Sequence, residues 1–572
     1  MIQSIYKMNL FSKQRALSLG FVLLIVFIFF INTFHQSYPD EFDNVLGGWY
    51  TLHGGLIYKD WFTHHGPIAY WIAGFLEFFG GQSFVKFRYL YSLFLVLLTF
   101  GGFWYIRRNL GFAKSKFYLW LILLIGIAST YFWGHMLLAD SLSGFLLLPV
   151  FGLLILKGFY KEKIILRDFV FIATFTSLSL LSTLTFSYLI AGIYLWTLIY
   201  YFFIQEKRKI WARESLKPFI ILGFPYLLFV IYLILTGSLG DFIYQALIFN
   251  QKFYVYNYPR PEGSTFINPL RYATIIGQTF HNSFSSLLIG LPDFNFTFPF
   301  NISLAVVNAS LLIYLILTRR FYLALFVSGF LIYSNVRSDP WTSKETDYQS
   351  AVYIMVSLFN TTFLLTSLYE YLKKNLEYPM KLILSLIFLL SLIYSFFNVA
   401  FILRMFSYKV YNKYMGTEAR IYDRPRIAPI INSITTKEDF AYIGPFEFEE
   451  LFYMHAKVPT KYQILIPGMG SSPNIQKEML QEFSKNKPKV IYFDKRFFVL
   501  FRSPETYGLF FLNYLKENYM TVQEYSEANK IKLSSVLPID AKIDLETKLY
   551  INKEVIDQTI QELVNKNLIK VN

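Results

Sequence analysis

Long runs of apolar residues, separated by short polar segments, occupy most of the first 403 residues of the chain. An α-helix needs about 20 apolar residues to cross the hydrocarbon core of a bilayer, and eleven runs approach that length. The pattern therefore predicts a polytopic α-helical membrane protein with eleven transmembrane helices. The predicted spans are 16–34, 86–106, 117–133, 140–156, 168–182, 186–204, 218–236, 300–318, 321–336, 350–370 and 382–403.

Lysine and arginine are concentrated in alternate segments between these predicted helices. Since both residues are enriched in cytoplasmic loops, their distribution predicts a multi-pass protein of the cell membrane with a cytoplasmic N-terminus. Two outside loops, 35–85 and 237–299, are long enough to have a structure of their own, and such loops are often functional. Apolar stretches at 70–79 and 242–253 predict short helices that lie in the membrane interface.

The composition changes after residue 403, where charged residues become frequent and the apolar runs become short. Alternating strand and helix patterns predict a small α/β domain with a partly parallel sheet. The predicted elements are strands at 440–443, 462–466 and 490–494, and helices at 446–455, 474–484 and 505–517. The chain is thus expected to consist of a transmembrane domain, 1–403, and an extracytoplasmic domain, 404–572.

The overall composition excludes several classes of protein. Hydrophobic residues make up 55% of the chain and charged residues only 16%, against about 25% in soluble domains. Basic cytoplasmic loops explain the net charge of +15, so we expect membrane lipids and no nucleic acid as partners. The chain has no cysteine, which excludes disulfides, thiolate metal sites and cysteine nucleophiles.

Carboxylates beside the predicted membrane helices are candidate residues of a functional site. Asp40, Glu41 and Asp43 follow the first predicted helix, and Asp140 begins the fourth. All four have a structural explanation, because acidic residues favour the first turn of a helix and Asp is a good N-cap. An ionisable group that borders apolar spans is equally a candidate functional group. Acids from two hairpins on one membrane face predict a shared polar pocket.

The first outside loop contains Pro39-Asp40-Glu41, then Tyr58-Lys59-Asp60, then Gly66-Pro67-Ile68-Ala69-Tyr70-Trp71. This series resembles the first periplasmic loop of the GT-C glycosyltransferases, and in particular the branch of the protein O-mannosyltransferases and the aminoarabinose transferase of lipid A. Asp140-Ser141-Leu142 resembles the second acidic position of that branch. Segments such as Tyr442-Ile443-Gly444 are similar to the soluble domain of many bacterial members.

The resemblance implies a GT-C-like enzyme that transfers one sugar, with inversion, from a polyprenyl-phosphate donor to an acceptor hydroxyl at the outer membrane face. Asp40 would be the general base, because a carboxylate within hydrogen-bonding reach can take the proton of the attacking hydroxyl. Glu41 is the alternative base or a residue that orients the acceptor, and Asp140 is the second carboxylate. The sugar, the polyprenol and the acceptor, whether lipid, glycan or protein, stay open.

Positive charge is needed to neutralise the phosphate of such a donor. The scarce basic residues of the outside loops are its candidate ligands, with anchoring to lipid headgroups as the alternative: Lys252, Arg260, Arg271, Arg337 and Lys344. Asp43 and Tyr58 are further candidates for substrate binding, the tyrosine by stacking on a sugar face.

Two adjacent histidines complete the candidate set. His65 stands where the aminoarabinose branch has a lysine, and Gly66 stands where it has a proline. A protonated His65 would still bind phosphate, whereas His64 and His65 are alternatively metal ligands or ordinary interfacial residues. Adjacent side chains usually diverge, and no His-x-x-x-His spacing occurs. A divalent metal therefore stays an open alternative and no other cofactor is expected.

Two other classes of function compete with the transferase. A transporter or flippase of lipid-linked sugars would place charged residues near the midplane of its spans, whereas the acids of this chain gather at one face. A non-catalytic membrane scaffold would keep the same fold without chemistry.

Overall fold

The computed structural model describes residues 19–35, 37–204, 212–254, 257, 297–334, 348–373, 377–414, 423, 425–536 and 543–571. Up to residue 254 the helices are α1 (Leu19–Phe34), α2 (Pro39–Leu52), α3 (Ile68–Gly80), α4 (Phe84–Leu110), α5 (Phe112–Ser115), α6 (Phe117–Ala128), α7 (Ala139–Phe159), α8 (Leu166–Leu180), α9 (Ser187–Ile199), α10 (Ala212–Leu235) and α11 (Leu239–Phe242), with π-helical segments at Tyr200–Ile204 and Ile243–Tyr254. The later helices are α12 (Thr297–Leu317), α13 (Phe321–Ser334), α14 (Ala351–Leu372), α15 (Tyr378–Tyr414), α16 (Ala428–Ile434), α17 (Phe448–Tyr453), α18 (Pro467–Gly470), α19 (Pro473–Lys485), α20 (Pro504–Tyr507), α21 (Leu509–Asn518), α22 (Val522–Asn529), α23 (Leu545–Lys548) and α24 (Ile556–Asn565).

Within these described ranges, six helical segments are long and apolar enough to cross a membrane. They are Phe84–Leu110, Ala139–Phe159, Leu184–Ile204, Leu216–Leu235, Tyr348–Leu372 and Tyr378–Asn412. A seventh is counted if α1 and α2, which are separated by a bend, form one broken span. The prediction of apolar membrane helices is confirmed, but the predicted number of eleven spans is wrong.

The difference arises because an apolar run in the sequence does not fix the length of the helix that it forms. The run predicted at 117–133 yields only the 12-residue helix α6, which ends at Ala128. A turn follows in which Ser129 donates its hydroxyl to Gly126 O and Trp133 has a φ of 54°. The run at 168–182 forms the 15-residue helix α8, which spans about 22 Å at 1.5 Å per residue and is short for a bilayer.

The chain divides into two compact units. The first comprises Met1–Gln36, Val85–Leu228 and Asn268–Ile421, and the second comprises Ser37–Phe84, Phe229–Ile267 and Tyr422–Asn572. The second unit therefore combines parts of both long predicted outside loops with the C-terminal region. The border at 421–422 lies beyond the predicted boundary at 403–404 because α15 continues to Tyr414.

Buried polar contacts hold the helices of the first unit together. Lys157 at the end of α7 forms an ion pair with Asp168 in the first turn of α8, and both side chains are almost inaccessible to solvent. The Asp168 carboxylate also accepts hydrogen bonds from Ile165 N at 2.8 Å and from the Tyr105 hydroxyl at 3.0 Å. By contrast, Lys114 and Glu162 form an exposed ion pair at 2.6 Å. Removing one partner of a buried ion pair leaves the other charge buried and unpaired, which lowers the stability of the fold.

The C-terminal region has the predicted α/β character. Its main sheet has the order β1-β2-β5-β3, with β1 and β2 parallel and the other neighbours antiparallel. The strands are β1 (Ala441–Gly444), β2 (Val490–Phe493), β3 (Tyr519–Thr521), β4 (Leu533–Ser535), β5 (Leu549–Asn552) and β6 (Ile569–Val571), and β4 pairs with β6 in a separate two-stranded sheet. The predicted strand at 462–466 is wrong, because this segment is irregular. Its first residue, Tyr462, donates its hydroxyl to Glu478 at 2.5 Å.

Candidate active site

Small residues bring α2 and α3 into close contact in the second unit. A Cβ atom added to Gly48 would lie only 2.4 Å from Ala73 Cβ and 2.5 Å from the backbone nitrogen of Gly74. One added to Gly47 would lie 2.4 Å from the ring of Tyr70. The glycine pair is therefore needed for this approach, and it brings α2, which carries the predicted acids, up against Tyr70.

The predicted acids begin α2, which starts at Pro39 with Tyr38 as its N-cap residue. Asp40 and Glu41 occupy the first turn, where the helix dipole favours negative charge. The side chain of Asp40 is half-buried, whereas Glu41 is completely buried. The simple alternative of a solvated helix start therefore does not describe Glu41.

Asp43, one turn further along α2, is joined to the following loop by a chain of hydrogen bonds. The hydroxyl of Tyr70 donates to Asp43 Oδ2 at 2.8 Å. Because Tyr70 donates its hydroxyl proton to Asp43, the hydroxyl of Thr63 must be the donor in its 2.7 Å hydrogen bond to the Tyr70 oxygen. The oxygen of Thr63 in turn accepts from His65 N at 3.0 Å. Such chains strengthen each member bond in a low dielectric.

The pKa of the Asp43 carboxyl is raised from 3.8 to about 7. Burial is the main cause, and the negative charge of Asp40 adds to it, while the hydrogen bond from Tyr70 acts in the opposite direction. A carboxylate with a pKa near the working pH is suited to general acid–base chemistry. The sequence pattern named Asp43 only as a substrate-binding candidate, since the shift depends on burial.

The loop between α2 and α3 is held by contacts that enclose Tyr58. This residue has a φ of 72°, its side chain is inaccessible to solvent, and its hydroxyl donates to His65 O at 2.8 Å. Gln245 fixes the loop from the neighbouring helix by accepting from Thr63 N at 3.0 Å and donating to Tyr58 O at 2.6 Å. These contacts account for Tyr58 structurally, and its predicted stacking on a sugar stays a prediction.

His64 and His65 are half-buried in this loop. Their ring centroids are 4.0 Å apart, and the His64 ring lies 4.4 Å from that of Tyr254. In the part of the chain that the structure describes, no group of three or more His, Cys, Asp or Glu residues is arranged to hold a metal. His64 thus packs against neighbouring aromatic rings, and metal ligation stays an alternative.

The predicted phosphate ligands are only partly within the described residues. Lys252 is exposed on the π-helical segment of the second unit. Arg260, Arg271, Arg337 and Lys344 lie outside the described residues.

Asp140 belongs to the first unit. It lies in the first turn of α7, where the N-cap residue is Leu138, so Asp140 is not the N-cap. Its side chain is only 2% exposed. The rings of His35 and His135, both buried, are in edge contact in the same unit, with centroids 5.5 Å apart. Asp40 belongs to the second unit, so the predicted convergence of the two acids stays a prediction.

Glu77 and Arg88 are buried charged residues that were not among the sequence candidates. Glu77 on α3 is 1% exposed, and its carboxyl oxygens have no hydrogen-bond partner among the described residues. Arg88 on α4 is completely buried and donates to Thr33 O at 3.3 Å. Glu77 is the only acidic or basic residue between Asp60 and Lys86, apart from the two histidines, and that isolation was the available signal for it. Arg88 follows Lys86 by two residues, so no such signal marks it.

The first unit also contains a cavity of about 1200 Å³ that includes none of the predicted site residues. Its wall is apolar and aromatic, with three charged residues: Arg107, Lys116 and Glu370. Arg107 and Lys116 come from a segment that the sequence assigns to the cytoplasmic side, so the cavity adds no support to a catalytic site at the outer face.

A search with protein-family models gave no match to the chain, and no curated protein matches it either.

Proposed function

We propose that the chain is a GT-C-like inverting glycosyltransferase of the cell membrane, which moves one sugar from a polyprenyl-phosphate donor to an acceptor hydroxyl. The observation that carries the proposal is the group of acids on α2. Asp40 and Glu41 occupy its first turn, and the pKa of Asp43 is raised to about 7. These acids lie in the loop that resembles the first periplasmic loop of the GT-C family.

The proposed topology has a cytoplasmic N-terminus and places the second unit on the outer side. Its support is the scarcity of lysine and arginine in the loops at 35–85 and 237–299, compared with the basic segments that alternate with them. Polyprenyl-phosphate sugars are amphiphilic, so a site in loops that flank membrane helices suits a donor with a buried tail and an accessible headgroup.

In the proposed reaction, Asp40 takes the proton of the acceptor hydroxyl, and the oxygen of that hydroxyl forms a bond to the anomeric carbon. The bond between that carbon and the phosphate oxygen breaks, and the polyprenyl phosphate leaves with the bonding electrons. Attack from the side opposite the phosphate inverts the configuration. Glu41, which is completely buried, is better suited to orienting Asp40 than to direct contact with the acceptor.

The transporter alternative has less support from the described polar residues of the membrane helices. Asn308 on α12 donates to the Ser357 hydroxyl on α14 at 2.9 Å, and it accepts from Asn360 at 2.9 Å. Neutral amides and hydroxyls that bond to one another are a common means of holding membrane helices together. Packing between membrane helices therefore explains this cluster without a role in transport.

The test has two stages. Mass spectrometry of cell-envelope glycans and lipids, with and without the protein, should identify a product that lacks one sugar when the protein is absent. The full chain in nanodiscs is then assayed with that acceptor as wild type, Asp40→Asn and Asp140→Asn. Loss of a positioned base costs about 10²- to 10⁴-fold in rate, so Asp40→Asn should lose at least about 100-fold. Asp140→Asn should also abolish transfer, because Asp140 is the proposed second carboxylate of the site.

Glu517→Gln is the control, because Glu517 lies at an exposed position of α21 and its substitution should leave the rate unchanged. Donor binding should survive in both Asn variants. Unchanged turnover in Asp40→Asn would remove this residue as the base, and an unchanged envelope in cells that lack the protein would refute the transferase itself.

A further inference from the structure

A short hairpin in the C-terminal α/β region, which we call the aromatic tip, comprises residues 495–502 (Lys-Arg-Phe-Phe-Val-Leu-Phe-Arg). It follows β2 almost directly. Val499 and Arg502 exchange two backbone hydrogen bonds, of 2.9 and 3.0 Å, and so close a turn around Leu500 and Phe501. The aromatic tip therefore ends in a tight turn that is closed by backbone hydrogen bonds.

The turn has a backbone conformation that its residues do not favour. Leu500 and Phe501 have φ angles of 49° and 64°, and two successive positive φ angles are usual for Asn-Gly or similar pairs in tight hairpins. A leucine and a phenylalanine in this conformation carry strain that glycine would avoid. Strained positions of this kind are frequent at functional sites, so the apolar side chains of the turn call for an explanation.

The aromatic side chains of the tip point into solvent. Phe498 is 70% exposed, Phe501 is 73% exposed and Phe497 is 38% exposed. Single exposed apolar residues are normal, but a cluster of large ones marks an interaction site. Three phenylalanines within five residues of one hairpin therefore indicate a surface that is covered by a partner.

Positive charge surrounds these phenylalanines. Lys495, Arg496 and Arg502 are exposed, and in the described part of the chain none of them forms an ion pair with a carboxylate. Arg502 instead donates to the neutral side chain of Asn257 at 3.0 Å. The nearest acid in sequence, Asp494, is already paired with Lys548 at 2.7 Å. The tip thus presents cations that are free to bind anions.

We infer that the aromatic tip inserts into a lipid bilayer that contains anionic lipids. Its phenylalanine side chains would lie at the boundary between headgroups and acyl chains, and its three cations would bind lipid phosphates. Exposed aromatic residues flanked by lysine and arginine are the pattern of interfacial binding. The chain also has helices that are long and apolar enough to cross a membrane, so a bilayer is an available partner for this protein. The inference does not depend on the proposed transferase activity.

The absence of cysteine from the chain makes a direct test simple. Phe498→Cys creates a unique thiol, which is labelled with an environment-sensitive fluorophore in the full chain. The labelled protein is placed in nanodiscs of phosphatidylcholine alone or with phosphatidylglycerol. Ala528→Cys, at an exposed position of α22 in the same unit, is the matched control. Quenching is measured with nitroxide-labelled lipid and, separately, with aqueous iodide.

In discs with the anionic lipid, nitroxide-labelled lipid should quench the probe at position 498 at least twofold more than the probe at 528. Iodide should show the opposite order. Replacing Lys495, Arg496 and Arg502 by Gln should reduce the lipid quenching at 498 at least twofold in these discs.

Three results would overturn the inference. Equal access of iodide to both probes would show that the tip stays in water. Protection from iodide without quenching by lipid would assign the tip to a protein partner or to a second copy of the chain. Equal lipid quenching in discs with and without phosphatidylglycerol would remove the role of anionic lipid.

Discussion

Glu77 provides a direct test of how a buried carboxyl makes the free energy of unfolding depend on pH. Its carboxyl is buried on α3 without a hydrogen-bond partner among the described residues, and burial raises its pKa from 4.5 to about 9. The helix has 13 residues and is about 20 Å long, which is too short to cross a bilayer on its own. At neutral pH the folded protein should therefore keep Glu77 protonated, while the unfolded chain ionises it.

The magnitude follows from proton linkage. Each unit of pKa difference corresponds to about 1.36 kcal/mol. The free energy of unfolding is highest below the ordinary pKa of 4.5, falls as the pH rises, and levels off above about 9. From this group alone the loss is about 3 kcal/mol at pH 7 and about 6 kcal/mol at pH 9. Glu77→Gln removes the titration and hence the slope.

The assay is thermal unfolding of the full chain in detergent, followed by tryptophan fluorescence at several pH values between 5 and 9. The amide of Gln also has to be buried, which costs about 1–3 kcal/mol, but this cost does not change with pH. We therefore expect the difference in Tm, variant minus wild type, to rise steadily between pH 5 and pH 9. The exposed Glu517→Gln variant should show no such rise.

A pH-independent difference in Tm between Glu77→Gln and wild type would refute the reasoning. It would mean that the carboxyl has the same charge in the folded and unfolded chain, and that burial does not govern its ionisation. A difference that falls with rising pH would reverse the sign and would indicate a pKa below the ordinary value.

Three further predictions concern contacts in the two units. Tyr70→Phe removes the donor that lowers the pKa of Asp43, so the pH at which this carboxyl ionises should rise above about 7, as a carboxyl-region infrared titration would show. Gly48→Ala places a methyl group against backbone and should lower the free energy of unfolding by about 1–3 kcal/mol, measured as a lower Tm. Lys157→Met leaves its buried aspartate partner unpaired and should cost about 3–5 kcal/mol, measured in the same way.

Two of these predictions have a matched control in the chain. An added Cβ on Gly240 meets no atom within 4 Å, so Gly240→Ala should not lower the Tm, and equal losses in both glycine variants would contradict the packing argument. Removing one partner of the exposed pair Lys114–Glu162 should cost less than about 1 kcal/mol. For Tyr70→Phe, an unchanged or lower ionisation pH would show that the tyrosine does not stabilise the Asp43 carboxylate.

Local features of the sequence determined where most helices form. Every predicted apolar run contains a helix in the described residues, because hydrophobic content and helix propensity act over a few turns of chain. The start of α2 was also predictable, since a proline followed by acids is a local helix signal. In the C-terminal region, β1, β2 and α19 formed close to their predicted positions for the same reason.

Tertiary structure decided the properties that depend on distant parts of the chain. The number of helices long enough to cross a membrane depends on where the chain turns, which the apolar runs did not reveal. The antiparallel addition of β5 between β2 and β3 joins segments far apart in sequence. The raised pKa values of Asp43 and Glu77 arise from burial, and burial is a property of the packed chain. The sequence alone thus determined which residues carry charge, while packing determined which of those charges are hidden from water.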